Sequence, residues 1–152
     1  MMSQVVSTGE SSEELESVLL TEEELLQSSE DDYMNKAQLA FFKNRLVQMK
    51  HELLANAKKT SQHLQEHEFL ADSSDRATLE EEYALELRTR DRERKLLAKI
   101  DSAVQRIEND AYGYCEDTGE PIGLGRLLAR PTATLSVEAQ EKRERLKRQY
   151  AD

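Results

Sequence analysis

From Tyr33 onward, apolar residues recur at alternating spacings of three and four. Leu39, Phe42, Leu46, Met49 and Leu53 share one helical face, and Ala57, Thr60 and Leu64 extend it more weakly. That period predicts an amphipathic helix with a narrow apolar stripe. After a break near Phe69–Ser74 a second run begins: Leu79, Tyr83 and Leu87, then Leu97, Ile100, Val104, Ile107 and Ala111. Neither Pro nor Gly occurs between Glu10 and Tyr112. Two helices of similar length joined by a short polar turn fold back antiparallel. At roughly 1.5 Å per residue each spans on the order of 50 Å. The expectation is a mainly α chain, with a long antiparallel coiled-coil hairpin over residues 33–111 and its tip near 70–76.

The seam is interrupted once. Arg88-Thr89-Arg90-Asp91-Arg92-Glu93-Arg94-Lys95 is almost wholly charged. In an antiparallel hairpin it lies near Leu53–Ala57, where packing is thin and the alternating charges serve one another as partners. Two readings stand: a solvated, salt-bridged face, or a contact surface for a partner. The turn reads Leu70-Ala71-Asp72-Ser73-Ser74-Asp75-Arg76-Ala77. Ser74 or Asp75 caps the second helix, and Glu80, Glu81 and Glu82 suit its first turns.

The texture changes after Asp110. Tyr112-Gly113-Tyr114-Cys115-Glu116-Asp117-Thr118-Gly119 is a turn-rich loop, followed by Glu120-Pro121-Ile122-Gly123 and a short apolar-basic segment to Arg130. Residues 112–135 thus form a small cap, and 136–152 a charged terminal helix. Residues 1–32 are rich in Ser and Glu, with apolar clusters at Leu15, Val18, Leu19 and Leu20, and at Leu25 and Leu26. Ser11 with Glu14, and Thr21 with Glu24, each read as a capping box. Short helices and a solvated tail are both open there.

Charge refines this picture. Formal net charge is -10, with 31 acidic and 21 basic residues. Ten Asp or Glu precede Lys36 and no Lys or Arg does, so the excess sits in the N-terminal segment and the body is neutral. DNA binding is driven largely by phosphate neutralisation, so a protein partner is expected rather than DNA. A single cysteine, Cys115, excludes an internal disulfide framework. No signal-peptide pattern and no membrane-length apolar run occur, which points to a cytoplasmic protein. There is no nucleophile with a base and orienter and no phosphate loop, so no enzyme is expected. His63 and His67, one turn apart, are read as surface histidines.

These segments together resemble the DksA/TraR family of bacterial RNA-polymerase-binding transcription factors, over roughly Tyr33 to Ala151. The resemblance rests on Tyr33-Met34-Asn35, on Asp72-x-x-Asp75-Arg76-Ala77, on Glu86-Leu87-Arg88-Thr89-Arg90-Asp91-Arg92-Glu93-Arg94-Lys95-Leu96, on Tyr112-Gly113-Tyr114-Cys115-Glu116, and on Arg126-Leu127-x-Ala129-Arg130-Pro131-Thr132-Ala133. It implies a coiled-coil hairpin beside a small globular domain. It also implies a regulator that binds RNA polymerase rather than promoter DNA and places the hairpin in the secondary channel. Asp72 and Asp75 match the tip aspartates and Ala77 the tip alanine. Arg92, Lys99 and Arg130 match basic positions that hold guanosine tetraphosphate against the polymerase. The polar gap in the seam favours a monomeric arm. A transcript-cleavage factor of the Gre kind and a plain helical scaffold are the alternatives.

Two departures matter. In zinc-binding relatives Cys115 begins a four-cysteine site, and here the other positions are Thr118, Ser136 and Ala139. One thiolate does not make a tetrahedral structural zinc site, so no zinc and no other resident cofactor are expected. Thr118 and Ser136, with packing by Ile122, Leu124, Leu127 and Leu135, have to replace the metal. Some members also carry a basic residue where this chain has Gln140, with Lys142 and Arg143 nearby.

Overall fold

The structure is a computed structural model that describes residues 19–70 and 76–151. Two long helices dominate it: α2 (Lys36–Leu70, 35 residues) and α3 (Arg76–Glu108, 33 residues), packed along each other as an antiparallel coiled-coil hairpin. A short helix, α1 (Glu22–Leu26), and one 3-10 turn (Glu30–Asp32) precede the arm. After it come α4 (Leu124–Ala129) and α5 (Val137–Ala151). The Ser11–Glu14 capping box, Leu15, Val18 and the 71–75 turn lie outside the described residues, and with the turn goes the cap expected at Ser74 or Asp75.

Each end of the arm at its base has a local cause. Asn35 accepts from the Gln38 backbone N–H through Oδ1 at 2.9 Å, and Gln38 Oε1 accepts from the Met34 N–H at 2.9 Å. This pair starts α2 as a variant of the capping box, in which the Gln38 side chain reaches the residue before the cap. At the other end, Ala111 N–H bonds back to Arg106 O at 2.8 Å and Asp110 N–H to Ile107 O at 3.2 Å. With Asp110 at φ +57 this is a Schellman motif, built on Asp where Gly is usual.

The core sits where arm and base meet. Leu25, Phe42, Leu46, Ile100, Ala103, Tyr112 and Leu127 are fully buried there. Phe42 lies 5.2 Å from Phe41 and 5.6 Å from Tyr112, ring centroid to centroid. Leu25 brings α1 into this core, so the segment from Leu19 to Tyr33 is a strap across the junction. Thr21 caps α1 by accepting from the Glu24 N–H, so of the two readings left open for this segment the short helix holds at Glu22–Leu26. Glu22 pairs with Arg45 at 2.6 Å, and the Arg45 guanidinium sits 4.9 Å from the Phe41 ring centroid.

Farther out, the seam follows a different phase from the expected one. Leu87 is 64% exposed, and Glu86 is only 6% exposed. The physical reason is continuity of the coiled coil. Counting back from Ile107 by alternating threes and fours gives Val104, Ile100, Leu97, Glu93, Arg90, Glu86, Tyr83 and Leu79. The strict heptad therefore passes through polar residues and leaves Leu85 and Leu87 outside. On α2 a run of fours, Leu53, Ala57 and Ser61, shifts the stripe, so Ser61 rather than Thr60 faces the partner helix. Such a spacing locally unwinds the supercoil. Thr60 instead bonds back to Asn56 O at 3.0 Å.

The predicted juxtaposition of Leu53–Ala57 with the charged run is present. Leu53, Leu54 and Ala57 line one side of a shallow groove of about 210 Å³, and Arg90, Glu93, Arg94 and Leu97 the other. Much of the charge is paired within the helix, Arg90 with Glu86 and both Arg94 and Lys95 with Asp91.

Candidate functional site

Of the expected tip residues, Asp72 and Asp75 lie outside the described residues. Ala77 is exposed in the first turn of α3. The distal helices are tied just below it by two cross-arm contacts. His67 Nδ1 and Glu82 Oε2 are 2.7 Å apart, and the Tyr83 hydroxyl donates to Glu68. The Glu68 carboxylate beside it pushes the Tyr83 phenol above its ordinary range. His63 stacks on His67 at 6.2 Å. Among the described residues no group of three His, Cys, Asp or Glu converges as a metal site.

Arg92 and Lys99 are exposed on α3, seven residues apart. Seven residues are two turns, so both project from one face about 10 Å apart. Arg130 is exposed at the end of α4. The ion pairs formed among the described residues use Lys43, Arg45, Lys50, His67, Arg90, Arg94, Lys95 and Arg143. Arg92, Lys99 and Arg130 are outside that set.

The base is organised by Tyr33. Its hydroxyl donates to Gly113 O at 2.6 Å and accepts from the Gly123 N–H at 3.0 Å, and its ring meets Tyr114 edge-on at 5.7 Å. Burial pushes the Tyr33 phenol upward, against the opposing pull of the Gly123 N–H. The chain approaches Met34 so closely at Gly113 (φ +92) that a Cβ there would lie 2.7 Å from the Met34 side chain. Tyr112 donates to Pro131 O at 2.7 Å, and burial raises its pKa strongly.

Residues 113–122 form a tight loop. Ile122 N–H donates to Gly113 O, Cys115 N–H to Glu120 O and Gly119 N–H to Cys115 O, each at 2.8 Å, and Tyr114 and Pro121 make a bridge. Glu116 N–H reaches Thr134 O at 2.9 Å. This is the place where a four-cysteine zinc site is expected in the resembled family. The donor set does not fit that metal. Cys115 supplies one sulfur and Ala139 supplies no donor. The Thr118 hydroxyl accepts from the Glu120 N–H at 3.3 Å, and the Ser136 hydroxyl accepts from the Ala139 N–H at 3.2 Å. Two hydroxyls and one thiol are not the four N or S ligands that structural zinc takes.

Several features hold this region together. Ile122, Leu127 and Leu135 are buried and Leu124 partly so, as expected. Sequence reasoning missed another: Arg143 on α5 binds Asp117 in the loop through Nη2 and Nε, Nε to Oδ2 at 2.8 Å. The guanidinium holds the Asp117 carboxyl below its usual range. Burial alone would push the Cys115 thiol up. The Thr118 hydroxyl and the backbone N–H groups of Ser136, Thr118 and Asp117 outweigh it and bring the thiol to about 6.

Fold and site thus define a class: an antiparallel two-helix arm on a small strapped base, whose turn-rich loop carries a single cysteine. The comparisons agree. The family described as "DnaK suppressor protein DksA, N-terminal domain" matches residues 38–107, and "Prokaryotic dksA/traR C4-type zinc finger" matches 111–145. The chain belongs to the DksA/TraR family. It is 54% identical to the "RNA polymerase-binding transcription factor DksA" of Caulobacter vibrioides over 89% of this chain and 96% of that protein. Identity to the Escherichia coli protein of the same description is 43%, over 80% of this chain and 81% of that one. A solved structure of transcription factor DksA2 from Pseudomonas aeruginosa superposes with a TM-score of 0.78 at 44% identity, covering 84% of this chain and 99% of that one.

Proposed function

We propose that this chain is a cytoplasmic, monomeric transcription regulator that binds RNA polymerase directly. It inserts its arm into the secondary channel and modulates initiation together with guanosine tetraphosphate, without binding promoter DNA. The observation that carries this reading is the arm. Two helices side by side are roughly 20 Å across and about 50 Å long, slender enough for a pore that a globular domain does not enter. Relatives covering most of the chain are described by their binding to RNA polymerase. Asp72 and Asp75 are the acting tip residues, with Ala77 beside them. Carboxylates there make charge-assisted hydrogen bonds to a basic loop or a magnesium site near the polymerase centre. Arg92, Lys99 and Arg130 take the pyrophosphate groups of guanosine tetraphosphate, since exposed guanidinium and ammonium groups are suited to phosphate. The regulator works by differential contacts with polymerase conformations and performs no chemistry.

In vitro transcription from a ribosomal promoter, with and without guanosine tetraphosphate, tests this. Wild type shortens the life of the promoter complex, and Asp75→Asn binds polymerase but loses that effect. An Asp75→Asn protein that regulates normally overturns the tip assignment. Arg92→Ala or Lys99→Ala keeps basal regulation and loses the response to the nucleotide.

The base, on this proposal, folds without zinc. Metal analysis of the purified protein finds no stoichiometric zinc, and a chelator leaves its melting temperature unchanged. Stoichiometric zinc, or a chelator-induced loss of folding, refutes it.

A further inference from the structure

About two-thirds of the way from the base to the tip, the seam contains a polar layer. Glu86 is 6% exposed and accepts from Ser61 Oγ at 3.3 Å across the helix pair. Arg90, one turn on, reaches Glu86 at 2.7 Å and donates to Ser61 Oγ at 2.6 Å. The three side chains close a ring that joins α2 to α3. The residues on either side of Glu86 sharpen its meaning. Leu85 is 62% exposed and Leu87 64%. A turn of α3 by one residue, about 100°, would put a leucine in the seam and the carboxylate in water. At this one position hydrophobic burial favours those turned states. The observed phase is therefore held by the polar ring and by the continuing heptad on either side.

We infer that Ser61, Glu86 and Arg90 are positioning residues that lock the rotational phase of α3 against α2, and thereby aim the distal arm. A single polar layer is the best-attested device for specifying register in a coiled coil. The described residues beyond it, Leu64–Glu68 on α2 and Arg76–Tyr83 on α3, depend on this phase, including the His67–Glu82 and Tyr83–Glu68 contacts. The consequence for regulation rests on the reading that the tip acts inside the polymerase. The phase lock itself does not.

The experiment has two arms. In the first, spin labels replace the exposed Gln65 and Ala84, in a Cys115→Ser background, and the distance between them is measured in the free protein. Wild type gives one narrow distribution. Glu86→Leu makes three successive leucines compete for one seam position, and the distribution shifts or splits. Glu86→Gln keeps the acceptor and restores the single distance. In the second arm, Glu86→Leu competes for RNA polymerase within about twofold of wild type but loses tenfold or more of its effect on promoter-complex lifetime, while Glu86→Gln keeps it. A folded Glu86→Leu protein with an unchanged distance distribution overturns the phase lock. A shifted distribution with undiminished regulation overturns its link to the tip. Wild-type protein without effect on polymerase overturns the proposed function alone, and the first arm still decides the phase lock.

Discussion

Replacing Leu25 by Ala is the most direct test of whether the strap belongs to the base. The side chain is fully buried and sits in the same core as Phe42 and Leu127. Burying a leucine stabilises by about 1.5–3 kcal/mol, and Leu→Ala in a rigid core costs about 2–5 kcal/mol. The strap is not rigid in that sense. Its helix is a single turn of five residues, too short to persist alone. It can lift away rather than enclose a cavity, so the cost should fall at the low end, about 2–3 kcal/mol. For a chain of this size that corresponds to roughly 5–10 °C in melting temperature. Thr21→Ala removes only the cap and should cost about 1 kcal/mol. The Glu22–Arg45 pair is largely solvent-exposed, so its removal falls at or below about 1 kcal/mol. Hydrogen exchange reads the mechanism. In Leu25→Ala the amides of Leu25 and Gln27, which bond to Thr21 O and Glu23 O, lose protection before those of α2. A stability change below about 0.5 kcal/mol, the range of ordinary surface substitutions, with unaltered exchange would refute the strap as part of the core.

Three further outcomes follow from the base. Gly113→Ala meets Met34 at 2.7 Å and forces an L side chain to φ +92; it should cost about 2 kcal/mol or more, measured by denaturant unfolding. Tyr112→Phe leaves the buried carbonyl of Pro131 without its donor and should cost about 1–2 kcal/mol. The Cys115 thiol, lowered to about 6 in the fold, makes stability rise with pH. Between about pH 6 and the unfolded value near 9, the unfolded chain holds a proton the folded one has lost. The gain is complete above that range and disappears as pH falls through 6. A Cys115→Ser protein with the same pH slope would refute this.

The arm was readable because it repeats. Leu39, Phe42, Leu46, Ile100 and Ile107 mark one face over many turns, and tertiary packing follows that face closely. The misplaced phase at Leu87 shows the limit. A leucine looks like a seam residue by type, but a coiled coil selects by position, and the heptad continued from Ile107 reaches Glu86. That signal is in the sequence, as is Asn35-x-x-Gln38, a helix-start pattern. The Asp117–Arg143 clamp is different in kind. Its partners are 26 residues apart, and nothing local distinguishes Arg143 from its charged neighbours on α5. Leu25 is a similar case, because one buried leucine in a Ser- and Glu-rich segment carries no period.

On the zinc-free reading proposed above, several weaker fasteners stand in the base where one strong one would. A structural zinc draws four ligands together and contributes folding energy outright. Here α5 is instead started by Ser136, held to the loop by Arg143 on Asp117, and packed through Ala139 and Leu135. The Asp117–Arg143 pair is partly exposed, so salt screens it and protonation of Asp117 removes it. The carboxyl is held below its usual range, so its contribution is complete above the unfolded value and is lost as pH falls through the lowered one. The tether between loop and α5 should therefore weaken with acid and with salt, and not with a chelator. Hydrogen exchange of the Gln140 amide, which bonds to Ser136 O at 2.9 Å, follows it directly. Protection there that falls on adding a chelator, and holds at low pH and high salt, would show that a metal and not the ion pair closes the base.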